Sequence, residues 1–323
     1  MEEAILSVAK PQNAGLVDTI SAGYRAIHRR PWALLIPAGL STYLWVGQPL
    51  ALGAAASGLR DGATQAAKLF SDDPALQQDM ITRMLSRDVR VAMAWLNMVP
   101  VLTPGEIAAS TARGVIWIGG MPQLLGAFAL INLVALLISS LFLTVLVGAV
   151  RGESFDTISA IRLAARAACS IALALLAALG AGLLLGLPLI AISAIIIAAL
   201  PSAALPIALA WYIAGFWAYV YAGFTPEAVL ISRCGPLLAI RNSIGVVRRN
   251  MTGTLGLLLL NVLIASGLAV IWRQLAGSPL GAAAAILGSA YVGSGLSAAR
   301  LEFYREQVGM FREAPPSLTP SSS

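Results

Sequence analysis

Polar residues stand inside long apolar runs: Asn132, Ser139 and Thr144 in one, Asn261 and Ser266 in another. Within hydrocarbon such groups bond between helices, at about 0.6 kcal/mol each, or line a path for a solute. The run interiors hold no Asp, Glu, Lys or Arg. Proton- and ion-coupled carriers depend on intramembrane ionisable groups, so their absence disfavours that class. The nearest candidate is Glu227, beside Pro226, which is expected to contact Arg233 or a neighbouring helix end. His28 is the only histidine and lies outside the runs, so neither an axial haem ligand inside the membrane nor a zinc cluster can be assembled. Cys169 and Cys234 are isolated, read as reduced thiols, and have no histidine neighbours to make a metal site. No phosphate-binding glycine loop or nucleophile elbow is present. The chain reads as a non-enzyme without a cofactor.

The elements that carry these residues follow from composition. Of 323 residues 58% are hydrophobic and 11% charged, against about 25% charged in soluble domains; mean hydropathy is +0.82. About 20 apolar residues cross the hydrocarbon core as a helix. Six such runs lie near residues 32–57, 123–150, 168–198, 204–225, 251–272 and 279–298. The predicted fold is an all-α polytopic membrane bundle of six transmembrane helices, with cytoplasmic amphipathic helices and an extracytoplasmic helical cap. Residues 1–31 form the N-terminal amphipathic segment, 32–57 the first span and 58–122 the cap. Residues 123–305 form the five-helix remainder, and 306–323 a disordered tail. The first 31 residues contain no apolar stretch long enough for a cleavable signal.

Orientation follows from the cations. Fourteen of the 21 basic residues fall on one side, in the N-terminal segment, after the second and fourth spans, and in the tail. The opposite short loops carry only Arg273, and the long segment 58–122 balances six basic against six acidic residues. The positive-inside rule places both termini in the cytoplasm. Net charge is +6, and only Lys10 and Lys68 are lysines. That bias, with the richness in Ala, Leu and Gly, points to a GC-rich bacterial genome and an inner-membrane, multi-pass protein. Charge flanking apolar runs suits anionic headgroups rather than a nucleic-acid groove.

A repeat underlies the topology. Asp18-Thr19-Ile20-Ser21-Ala22 recurs as Asp156-Thr157-Ile158-Ser159-Ala160, and more loosely as Leu238-Ala239-Ile240-Arg241-Asn242-Ser243. Each copy ends in cations before a span, which predicts three units of an amphipathic interface helix and a two-span hairpin. Asp18 and Asp156 sit at predicted N-caps. Apolar faces are expected from Ile20, Tyr24 and Ile27, and from Leu237, Ile240, Ile244 and Val247. Arg29, Arg30, Arg162, Arg166, Arg241, Arg248 and Arg249 are the candidate headgroup contacts.

Thr225-Pro226-Glu227-Ala228-Val229-Leu230, Gly235-Pro236-Leu237-Leu238-Ala239-Ile240, Ser243-Ile244, Arg248-Arg249-Asn250 and the opening Arg29-Arg30-Pro31-Trp32 carry a likeness. Together they resemble six-helix bacterial membrane proteins related to the membrane domain of glycerophosphodiester phosphodiesterases. The resemblance covers the spans but not residues 58–122, and nothing corresponds to the soluble catalytic domain. It implies a membrane architecture and no enzyme activity.

Within 58–122, Asp73-Pro74 opens a helix whose apolar stripe is Ile81, Leu85, Val89, Ala92 and Leu96, with Arg83, Arg87, Asp88 and Arg90 off it. Thr103-Pro104-Gly105-Glu106 predicts another helix carrying Ile107 and Ile116. Trp95 and Trp117 could anchor the cap at the membrane boundary. The segment is a candidate lid, partner-docking surface or passive cap. Gly281, Ala285, Ser289, Gly293 and Ser297 form a small-residue stripe for close packing, and a kink is expected at Pro188. Two functions remain. One is a non-catalytic scaffold, assembly or accessory protein acting through lipids or protein partners. The other is a permease or exporter of a neutral or lipid-like solute, with a cavity lined by Asn132, Ser139, Asn261 and Tyr219.

Overall fold

The structure, a computed structural model, describes residues 15–52, 60, 64, 73–85, 88–104, 114–153 and 156–313. Helix α1 (Leu16–Arg29) leads through a 3-10 turn, Pro31–Leu34, into α2 (Leu35–Val46). Strand β1 (Leu50–Leu52) pairs in parallel with β2 (Ile116–Ile118), Leu50 opposite Ile116. Between them lie α3 (Pro74–Leu85) and α4 (Val89–Ala92). Then follow α5 (Met121–Arg151), α6 (Thr157–Ala199), α7 (Ala204–Ala222), α8 (Thr225–Ser232), α9 (Pro236–Arg249), α10 (Met251–Leu275) and α11 (Pro279–Glu313).

Among the described residues five helical stretches are long and apolar enough to cross a membrane, which makes this a multi-pass membrane protein. The sixth expected span is the exception. Among its described residues the run 32–57 is helical to Val46 and no further, and Pro31–Val46 is a shorter apolar helix. The stop is local chemistry: Gly47 turns extended, and Pro49 offers no N–H to continue the helix. At 1.5 Å per residue α2 falls short of a core about 30 Å thick.

The helices are unequally enclosed. The apolar window of α5 is 72% buried, that of α6 0% and that of α10 11%. α5 is therefore the central helix, and α6 and α10 present their hydrocarbon outward. The fully buried large side chains Phe142, Leu146, Ile171, Phe224, Leu230, Leu301 and Tyr304 gather where the second half of α5 meets α6, α8 and α11. The α6–α7 hairpin reaches away from this core and is joined across by Trp211 Nε1 donating to Ser193 Oγ at 3.2 Å.

Two of the three repeat copies fold alike. α1 and α9 are each 14 residues long, begin after an extended glycine (Gly15, Gly235), and end at caps of similar geometry: Arg30 at φ −140, ψ 68 and Asn250 at φ −133, ψ 60. They bury the same helix positions: Thr19, Gly23, Ala26 and Ile27 in α1, and Ala239, Ser243, Val246 and Val247 in α9. These are mostly small residues; of the large-apolar faces expected, Ile27 and Val247 are buried, Ile20, Tyr24, Ile240 and Ile244 flank the sunk face, and Leu237 is exposed. α1 packs on α11 through Gly23, where an added Cβ would lie 2.5 Å from the Ala299 nitrogen and 2.6 Å from the Gly295 oxygen. The middle copy differs, since its amphipathic part runs without a break into α6, through Pro188, for 43 residues.

Further differences are local. Asp156 is an N-cap, but Asp18 stands inside α1 and its carboxylate accepts from the Gly15 N–H at 3.1 Å. The stripe from Ile81 to Leu96 does not form one helix. Asp88 caps α4 by accepting from the Arg90 N–H, and the chain leaves helix after Ala92. Ile116 lies on β2, not on a helix, and the helix expected to carry Ile107 falls outside the described residues. α11 continues to Glu313, through the first residues assigned to the tail.

Candidate functional site

After α4 the backbone enters the bundle. Residues 93–102 are non-helical and thread among α2, α5 and α11. A non-helical backbone at membrane depth is stable only when protein satisfies its polar groups, and here side chains on the helices do so. Asn132 Oδ1 accepts from the Leu96 N–H at 3.1 Å, and Asn132 Nδ2 donates to the Met93 carbonyl at 2.8 Å. Ser139 Oγ accepts from the Met98 N–H at 2.8 Å and donates to the Leu96 carbonyl at 3.3 Å. Ser41 Oγ accepts from the Leu102 N–H at 3.0 Å, and Trp45 Nε1 donates to the Leu102 carbonyl at 3.1 Å. Asn97 closes a local turn on the Val99 backbone. Gly293 of the small-residue stripe receives Pro100, whose ring would collide with any Cβ placed there.

Asn132, Ser139, Thr144 and Asn261 thus divide. Asn132 and Ser139 are brought together on one inserted segment, bonding to it rather than to another helix. Thr144 Oγ1 bonds back to the Ser140 carbonyl of its own helix at 2.7 Å. Asn261, on α10, has its Oδ1 buried without a hydrogen bond and takes no part in the set. Ser41 and the Asp88–Arg90 pair were not legible as site residues. One signal for the insertion was present: Met98-Val99-Pro100-Val101-Leu102 is apolar, cannot be helical through Pro100, and sits in a supposedly water-facing segment.

Beside the insertion, α2 and α5 leave a cavity of about 300 Å³ lined by Leu40, Val101, Leu130, Val134 and Ile138, with Arg90 and Asn97 as its polar members. Leu130, Val134 and Tyr43 are exposed at its rim, so it opens sideways. Arg90 was expected to point away from the apolar stripe; instead its side chain is only 10% exposed. Its Nη2 lies 2.6 Å from Asp88 Oδ2 and donates to the Leu44 carbonyl at 3.2 Å, and its guanidinium stands 5.3 Å from the Tyr43 ring centre. Burial works against the charge, but the hydrogen bonds to Asp88 and the charge of that carboxylate, with a smaller contribution from Tyr43, outweigh it and hold Arg90 above its ordinary range. Nη1 is buried and makes no hydrogen bond.

At the opposite end the arginines split into two sets. Arg29, Arg162, Arg166, Arg241, Arg248 and Arg249 are exposed. Arg30, also expected at the headgroups, turns inward and donates to the Glu153 carbonyl. Around it Arg151 donates to the Ile231 carbonyl, Arg233 meets Glu153 at 3.0 Å, and Arg305 donates to the Val150 carbonyl at 2.7 Å. Glu227 pairs with Arg300 at 2.8 Å rather than with Arg233. Arg300 also donates to the Gly223 carbonyl at 2.5 Å. These contacts tie α11 to the C-terminal ends of α5 and α7, and α5 to that of α8, positions at which cations are favoured. Burial pushes the Cys234 thiol up, which leaves it a weak nucleophile. Among the described residues no group of His, Cys, Asp and Glu could hold a metal ion.

No protein-family model matches the chain, and neither a curated protein nor a solved structure matches it.

Proposed function

We propose that this is a non-catalytic integral membrane protein that acts through lipid or protein partners, as a scaffold, assembly factor or accessory subunit. The observation that carries the reading is the use of Asn132 and Ser139. The polar groups that a solute path would need are bonded to the backbone of residues 93–102. The likeness to stand-alone relatives of the phosphodiesterase membrane domain adds to it. A permease for a neutral or lipid-like solute is the second reading, favoured only by the sideways cavity, which Asn132, Ser139 and Asn261 do not line.

In this account the exposed arginines of α1, α6 and α9 face anionic headgroups in the cytoplasmic leaflet of a bacterial inner membrane. Both termini are cytoplasmic, and α2 completes the sixth crossing with help from the inserted segment. Residues 58–122, with Trp95 and Trp117 exposed, offer the outer surface to a protein partner. Reporter fusions after residues 90 and 240 are expected to report opposite sides; the same side for both would overturn the orientation. For the function, affinity purification of the full chain from native membranes with lipid analysis is expected to recover a stoichiometric protein partner or a defined lipid. Recovery of a lone polypeptide with lipid of bulk composition would contradict the reading.

A further inference from the structure

The stretch Pro201–Ser232 has 6% of its apolar window buried, so α7 stands almost bare beside the core. Its outward face reads Leu205, Ala208, Tyr212, Gly215, Tyr219 and Ala222, all exposed. Tyr212 stands at the middle of this 19-residue helix. Its side chain is 75% exposed, and its hydroxyl makes no hydrogen bond among the described residues. At 1.5 Å per residue the nearer end of α7 is about 12 Å away, farther than a phenol reaches. A serine in that place could turn back to a carbonyl of its own helix, as Ser193 does to Leu189 at 2.7 Å. A phenol stands too far from its own backbone for that. Acyl chains offer a hydroxyl nothing, so whatever covers this face must bring a hydrogen-bonding group at that depth. The bare face of α6 makes no such demand. From Ile171 to Ala199 its one polar side chain, Ser193, is already bonded to Leu189 and Trp211.

The spacing on α7 selects the cover. Tyr212 and Tyr219 alternate with Ala208, Gly215 and Ala222, so large and small residues take turns on the 3.5-residue seam of a left-handed helix pair. All copies of one chain enter the membrane in the same orientation. Two copies therefore meet α7 to α7 in parallel, about a two-fold axis along the membrane normal, and a two-fold contact must be self-complementary. In that arrangement each Tyr212 ring enters the gap over Ala208 and Gly215 of the second copy. Gly215 has nothing within 4 Å of its Cβ position. Lacking a side chain, it lets the second backbone come within reach of the phenol, so that a helix carbonyl or the opposite phenol accepts. The four rings at about 150–250 Å² each, together with Leu205 and Phe216, carry the contact past the roughly 1,000 Å² that a stable interface needs. We infer that the face of α7 from Leu205 to Ala222 is a homodimer interface, two α7 helices packed in parallel with the Tyr212 hydroxyls bonded across it.

This inference rests on α7 as a membrane crossing and not on the proposed role, so the two fail separately. A monomer that still recovers a partner from native membranes sinks only the dimer. The test reconstitutes the full chain in phosphatidylethanolamine–phosphatidylglycerol liposomes at falling protein-to-lipid ratio and counts copies by single-molecule photobleaching. The wild type is expected to dimerise. Gly215→Leu blocks the approach at a position where the monomer has open space, and is expected to weaken dimerisation at least tenfold. Tyr212→Phe removes only the hydroxyl and is expected to weaken it about three- to tenfold, the loss of two interhelical hydrogen bonds. With Cys169 and Cys234 replaced by serine, Ala208→Cys is expected to cross-link copy to copy in membranes under mild oxidation. Ile195→Cys, on the exposed face of α6, is not. A wild type that stays monomeric at the highest ratio overturns the proposal, as does Gly215→Leu or Tyr212→Phe dimerising like wild type. So does cross-linking at Ile195→Cys in place of Ala208→Cys, or cross-linking of Ala208→Cys to a different polypeptide alone.

Discussion

Replacing Asn132 by leucine is expected to lower the stability of the folded chain by about 2–6 kcal/mol, although leucine is the more hydrophobic residue and the position lies in an apolar helix. The sign follows from the backbone it serves. Without the amide, the Leu96 N–H and the Met93 carbonyl lose their partners, and each buried orphan costs about 1–3 kcal/mol. Lipid provides no replacement donor or acceptor. Thermal unfolding in a single detergent should show a large fall in melting temperature for Asn132→Leu. For comparison, Thr144→Val removes only a bond within one helix turn and should change little. If Asn132→Leu proves as stable as Thr144→Val, Asn132 does not hold the inserted segment.

The second large effect is expected at Gly23. A side chain there meets backbone on two sides, the Ala299 nitrogen at 2.5 Å and the Gly295 oxygen at 2.6 Å from the Cβ position. Backbone within a helix cannot give way as a flexible side chain can, so Gly23→Val must push α1 off α11. Overpacking of this kind costs about 1–3 kcal/mol, and the loss falls mainly on α1, which is held by this face. Limited proteolysis should then cut between α1 and α2 much faster than in wild type, while the α5 and α11 fragments persist. Gly245→Val, where nothing lies within 4 Å, is the control that should leave the digestion pattern unchanged. Equal protection of Gly23→Val and wild type would mean that α1 does not pack through Gly23.

The large features were legible because they are set by local composition. Runs such as 123–150 and 251–272 are too long and too apolar to face water, and their backbones close on themselves as helices. The basic residues before the spans were equally plain. Two other features were hidden from hydropathy, one by a local signal and one by partners distant in the chain. Val46 ends α2 because of Gly47 and Pro49, a signal that a hydropathy run masks. The inserted segment depends on Ser41, Asn132, Ser139 and Gly293, which lie on three helices; no spacing rule links them. Arg90 and Arg30 were misplaced for a related reason. An arginine near a span end is usually solvated, but each of these finds carbonyls or a carboxylate that a neighbouring helix end leaves open. The Asp-Thr-Ile-Ser-Ala repeat was visible as a pattern, yet its working face was not. Close packing selects Gly23 and Ser243, whereas an apolar-face reading favours Tyr24 and Ile244.

Backbone hydrogen exchange at Leu96, Met98 and Leu102 in the detergent-solubilised full chain tests the central claim most directly. If helix side chains hold this non-helical segment inside the bundle, these three amides exchange as slowly as those of the enclosed half of α5, and Asn132→Leu releases Leu96 first. Exchange at the rate of an exposed loop, unchanged by Asn132→Leu, would contradict the account and leave Asn132 and Ser139 free for another role.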